Sequence, residues 1–161
     1  MPKTLVLFQG TDADLITLAE AVADGVRSVR FAEVELRQLA DAGAPGEGRH
    51  RVLTNADELA GYDGLVLGAG AGPEGVPASV VRLLTEAAPL RKQGQLTVSV
   101  GAAFATDAGS DAAWALLRAL GELGVVLVPP GSGVATDARQ LGHRVAHVVS
   151  WITHARSHHH H

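Results

Sequence analysis

The sequence predicts an α/β domain, a three-layer sandwich around a five-stranded parallel sheet in the order 2-1-3-4-5. Three observations carry this. Short apolar runs alternate with amphipathic stretches of helical period along the chain. Four of the five runs lack polar alternation, as parallel strands covered on both faces do. Turn residues and helix-capping residues mark the boundaries between them. Right-handed crossovers then place helices on both sides of the sheet. In this order a ligand crevice falls beside strands one and three, at their C-terminal ends.

The elements follow in order. Residues 5–8 form the apolar centre of a first strand, and Leu15, Leu18, Ala19 and Val22 recur at helical spacing behind it. In the second strand, residues 34–36, Val34 and Leu36 alternate with Glu33, Glu35 and Arg37, which suits a sheet edge. Residues 41–50 are rich in Gly and Pro and read as a loop; a short helix is expected at 55–60. The third strand is residues 65–67. Pro77 suits the first turn of the next helix, which carries Val80, Val81 and Leu84. Residues 96–100 read as strand four. Leu116, Leu117 and Leu120 mark a helix that Gly121 and Gly124 end. Residues 125–128 read as strand five, and Leu141, Val145, Val148 and Ile152 as a last helix, capped by Thr136 or Asp137. This gives one domain over residues 1–156, with 157–161 a tag remnant.

Composition narrows the function. With 161 residues the chain can bury a substantial core. A net charge of −4 without a basic run argues against a nucleic-acid partner or an anionic membrane surface. The absence of cysteine removes thiol catalysis and thiolate metal sites. No apolar run reaches transmembrane length and the start has no signal-peptide pattern, so the expected location is cytoplasmic.

The first strand-to-helix turn is Gly10-Thr11-Asp12-Ala13-Asp14. In parallel α/β proteins this turn commonly holds a phosphate on helix N-terminal N–H groups. Here it carries two carboxylates. Thr11 and Asp14 also fit a capping box, which would satisfy those donors from within the chain.

Three stretches, KTLVLFQGTDADLITLAEAVADG, AGYDGLVLGAGAG and LGELGVVLVPPG, carry a family likeness. In them the chain resembles flavodoxin-like proteins, and among these the NAD(P)H:quinone oxidoreductases related to the tryptophan-repressor-binding protein. The resemblance implies non-covalent FMN, NAD(P)H as hydride donor, two-electron reduction of a quinone, and a homo-oligomer. It places the cofactor crevice at Gly10, Thr11, Asp12, Ala13 and Asp14, at Gly70, Ala71 and Gly72, and at Gly101 and Phe104. Against that pattern, the first turn keeps only Thr11 as a ready hydroxyl donor. The turn after strand three has lost its Arg and aromatic, and the turn after strand four reads Gly-Ala-Ala-Phe-Ala-Thr. The expectation is a quinone-oxidoreductase-related protein with a degenerate FMN site, non-catalytic or with an altered ligand. The alternative is an active FMN-dependent NAD(P)H:quinone oxidoreductase that holds the flavin mainly through backbone N–H groups. No side chain stands out as catalytic.

Other motifs read as structure. Gly70 to Gly75 matches G-x-G-x-x-G, but the next strand ends in Gly101 rather than an acidic residue, so a loop is expected. A response-regulator reading fails because strand three ends in Leu67-Gly68-Ala69, without an acceptor Asp. Phe104 is expected to pack into the emptied pocket, and Trp114 and Trp151 to serve a core or an interface. His143 and His147 share a helix face at a spacing that can bind zinc, but no third ligand is evident; a plain helix surface and no metal are expected.

Overall fold

The computed structural model describes residues 2–10, 12–40, 51–69, 76–106, 111–130 and 135–159. The strands are β1 (Lys3–Gln9), β2 (Glu33–Leu39), β3 (Arg51–Leu53), β4 (Gly64–Ala69), β5 (Val100–Ala105) and β6 (Val126–Val128). The helices are α1 (Ala13–Arg27), α2 (Ala78–Lys92), α3 (Ala112–Gly121) and α4 (Ala135–His159), with a 3₁₀ turn at Ala56–Leu59. All strands are parallel, in the order β3-β2-β1-β4-β5-β6.

The period-2 geometry of the strands sorts their side chains between two cores. Leu5, Leu7, Leu65, Leu67 and Ala103 face α2, α3 and the 3₁₀ turn. Val6, Phe8, Val66, Ala102 and Phe104 face α1 and α4. This is the expected three-layer sandwich. The strand order expected for five strands holds for β2, β1, β4, β5 and β6, and β3 adds a sixth at the outer edge.

That addition corrects the reading of β2 as an edge strand. Arg37 and Leu39 of β2 pair in register with Arg51 and Leu53 of β3. Its charged residues alternate because they have partners. Glu35 accepts from the Tyr62 hydroxyl and lies 2.6 Å from Lys3 Nζ. Arg37 is buried and donates to Glu58 at 2.9 Å and to the Val52 carbonyl at 3.0 Å. Strand four also lies later than expected. Residues 96–99 approach the sheet with Leu96 and Val98 buried, but the ladder against β4 runs from Val100 to Ala105.

Two glycines bring the first and last helices into near contact. A Cβ on Gly25 would stand 1.9 Å from the Arg139 carbonyl oxygen, and one on Gly142 would stand 2.0 Å from that of Val22. No other residue fits at either position without moving a backbone. The reading of α4 also shifts: it begins at Ala135, so Asp137 lies in its first turn rather than before it. It continues through His159, into the stretch read as a tag. The expected loop at 41–50 lies outside the described residues.

Candidate functional site

β1 and β4 end side by side at Gln9 and Ala69, which pair with each other, at the place where this strand order puts a ligand crevice. Gly10 turns the chain out of β1 at φ +126°, a region that favours glycine. Gln38, from the end of β2, donates to the Gly10 carbonyl at 2.9 Å and pins the turn from the side. The helix then starts. Its N-cap is Asp12, whose Oδ1 accepts from the Asp14 N–H at 3.1 Å, while its own carbonyl takes the Ile16 N–H at 3.0 Å.

Helix α1 thus caps itself, but not as the sequence pattern expected. The capping side chain is Asp12, two residues before the bonded donor, and Thr11 lies outside the described residues. Asp12, Ala13 and Asp14 are all exposed, and among the described residues neither carboxylate has a cationic partner. Both charges sit at the helix N-terminus, where the dipole would favour an anion.

The other expected positions separate. Gly70, Ala71 and Gly72 lie outside the described residues. Gly101 and Phe104 belong to β5 rather than to a loop. Gly101 pairs with Leu65, and a Cβ there would meet Val125 Cγ2 at 2.9 Å, so it serves packing under α3. Phe104 pairs with Gly68 and is 4% exposed. A Cβ on Gly68 would sit 2.1 Å from the Phe104 ring, so the ring occupies the space a side chain on β4 would take. Phe104 therefore packs inward, from a strand and against the α1 and α4 layer.

Both tryptophans lie on helices but not in the core: Trp114 is 54% and Trp151 is 66% exposed. Helix α2 starts differently from α1. Its N-cap is Pro77, without a side-chain cap bond, and its first turn has no acidic residue. Ser79 in that turn is buried, and its hydroxyl has no partner.

Among the described residues an ionisable network runs from Lys3, at the N-terminal end of β1, through Glu35 and Tyr62. The hydrogen bond from Lys3, then that from Tyr62, lowers the Glu35 pKa. Burial, then the bond to Glu35, raises that of Tyr62. Nearby, burial works to raise the Glu58 pKa, but the N–H groups of Asn55 and Thr54 and the Arg37 guanidinium outweigh it and hold the carboxyl at about 2. These groups are paired with each other, so they build the fold. Sequence reading missed Gln38 and Gly68, because what they touch lies on other strands.

Tested against FMN, the described residues do not form a ready phosphate cradle. The donor at Asp14 is taken, the surrounding charge is negative, and the aromatic that might cover a ring is packed into the core. Among the described residues no group of three metal-ligating side chains occurs, and no helix is long and apolar enough to cross a membrane.

No family model matches the chain. In sequence it is similar to a protein named NAD(P)H dehydrogenase (quinone) from Acidovorax ebreus (strain TPSY), 31% identical over 115 residues, which cover 67% of this chain and 58% of that protein. A protein of the same name from Rhodopseudomonas palustris (strain BisB18) is 30% identical over 116 residues, with the same coverage. The chain thus spans a little over half the length of these relatives. In structure it is similar to a flavodoxin from the domain Archaea, with a TM-score of 0.68 at 19% identity over 92% of this chain and 99% of that one. It is also similar to a flavodoxin, WrbA-like protein from Agrobacterium tumefaciens, with a TM-score of 0.65 at 17% identity over 94% and 99% of the two chains. Identities this low speak to the fold alone.

Proposed function

Starting from a flavodoxin-like fold with sequence relatives named NAD(P)H dehydrogenase (quinone), we propose that this chain is a quinone-oxidoreductase-related protein whose FMN-phosphate turn is closed by its own carboxylates. It is a non-catalytic or altered-ligand member of that group and acts through oligomer or partner surfaces. One observation carries the reading: Asp12 Oδ1 holds the Asp14 N–H that a phosphate would need. A phosphate entering there must displace a cap worth about 1 kcal/mol. It must also sit beside one or two negative charges, each costing about 1 kcal/mol at 4 Å in water and more where water is excluded.

The second reading is an active FMN-dependent NAD(P)H:quinone oxidoreductase that binds the flavin mainly through backbone N–H groups. The 31% identity to a named quinone dehydrogenase favours it. The flavin would supply the hydride chemistry, and the protein would only hold and orient it. Titration of tag-free protein with FMN, followed by flavin fluorescence and run beside riboflavin, separates the two. Absence of binding at hundreds of micromolar supports the closed turn. Micromolar or tighter FMN binding overturns it and makes quinone reduction the next assay.

A further inference from the structure

We propose that His143 and His147 on α4 form a binding site for a divalent late transition-metal ion, with Ser28 at the end of α1 fixing the tautomer of the first ligand. The argument starts at Ser28. Its Oγ lies 2.6 Å from the Gly25 carbonyl oxygen, which can only accept, so the hydroxyl proton is committed there. The same Oγ lies 2.8 Å from His143 Nδ1. With its proton engaged, Ser28 can only accept from that nitrogen, so neutral His143 carries its proton on Nδ1. Its Nε2 is left as a bare lone pair. A ring nitrogen fixed by an outer hydrogen bond, with the other free, is how metal-binding histidines are oriented.

That lone pair meets His147 Nε2 at 3.0 Å, with the two rings crossing at 74°. Two imidazole nitrogens at bonding distance from one ion stand about 2.9 Å apart at a right angle and about 3.3 Å apart at the tetrahedral angle. The observed 3.0 Å is the hydrogen bond between the rings, so a small swing of each ring brings both nitrogens to either spacing; among divalent ions an imidazole pair holds Cu²⁺ most tightly. In the metal-free protein, His147 donates its Nε2 proton to His143. On binding, the rings swing to converge on the ion and the His147 proton moves to Nδ1, so no proton is released. Among the described residues no third side chain joins the pair, and the remaining positions belong to water or to an incoming ligand. Arg139 and Arg144 line the hollow beside Ser28 and His143 and weaken the attraction for a cation without removing a donor. His147 also borders an apolar groove with Val126, Leu127, Val148 and Trp151, so an ion here sits at the rim of that groove.

The test uses the full chain with His158 to His161 each changed to Ser, since that run would itself bind the probe. Cu²⁺ alone is titrated by calorimetry and by tryptophan emission in a Trp114→Phe background. Trp151 then reports alone, its ring 6.0 Å from that of His147. One ion per chain, saturable and accompanied by quenching, is expected. Either His143→Ala or His147→Ala lowers the affinity at least tenfold, and Ser28→Ala lowers it by about tenfold, the usual size of an outer-bond loss. His154→Ala changes nothing. Failure to bind one ion, or equal binding by the two histidine variants with unchanged circular dichroism, overturns the site. Loss in those variants with full binding in Ser28→Ala overturns the tautomer assignment.

Discussion

Replacing Asp12 by Gly removes the cap and one of the two charges at the first turn, and the size of the gain follows from the geometry. The Asp12 carboxylate holds the Asp14 N–H at 3.1 Å. A phosphate using that donor loses the cap, about 1 kcal/mol, and gains a like-charge contact of about 1–2 kcal/mol at an exposed position near 4 Å. Freed of both, FMN affinity should rise by about 2–3 kcal/mol, or roughly thirty- to a hundred-and-fifty-fold. The helix itself should lose only a few tenths of a kcal/mol, because Gly is a tolerable N-cap. The assay is the FMN titration already described, with riboflavin as the control that lacks a phosphate. Riboflavin affinity should stay constant. A companion variant, Asp12→Ser with Asp14→Asn, keeps a neutral cap and removes the charges; it should gain roughly tenfold or more. If FMN binds the Gly variant no better than the parent, or if riboflavin gains as much as FMN, closure of the phosphate turn is not what limits the flavin.

Three further outcomes are expected. Glu58→Gln should lower stability at pH 7 by about 1–2 kcal/mol, discounted from the roughly 3 kcal/mol that a drop from 4.5 to about 2 implies, because the carboxylate is partly exposed. Since that pKa is depressed in the folded state, the contribution is complete above pH 4.5 and fades as pH falls toward 2. Urea melts of the two proteins should therefore converge in acid, and a difference that persists unchanged at pH 2 would contradict the assignment. Gly142→Ala should destabilise by several kcal/mol, since the added methyl meets the Val22 carbonyl, and a melting temperature within 2 °C of the parent would show that α4 can simply shift. Phe104→Ala should cost about 3–5 kcal/mol in chemical denaturation, the range for emptying a core aromatic site; a cost under 1 kcal/mol would place the ring outside the core.

The parts that sequence reading reached and missed differ for physical reasons. β1 and β4 were legible because Leu5, Leu7, Leu65 and Leu67 on one face and Val6 and Val66 on the other make continuous apolar runs. β3 was not, since three residues with charge at one end offer no period to detect. β5 was placed too early because its own residues, Gly-Ala-Ala-Phe-Ala, have little intrinsic strand preference. Small side chains are required there by close neighbours, Val125 over Gly101 and Phe104 over Gly68, and such a demand appears only in three dimensions. The first turn was legible as acidic and self-capping, but not which residue caps. The partnership of Ser28 with His143 spans 115 positions, so no local pattern could reveal it.

The close backbone approach of α1 and α4 at Gly25 and Gly142 also bears on how the chain is made. Helix α1 ends at Arg27 and its partner begins at Ala135, so synthesis separates them by about 110 residues. At roughly 5–20 residues per second, a nascent chain carries α1 for about five to twenty seconds before α4 exists. During that interval Leu15, Leu18 and Val22 can close against β1, but the flank that α4 later covers is open, and the glycine there presents bare backbone. Docking α4 on α1 is a closure over long sequence distance, which is slow by its nature. Truncation within α4 should therefore expose an early-made surface, and what reaches the cell would be captured by chaperones rather than merely weakened.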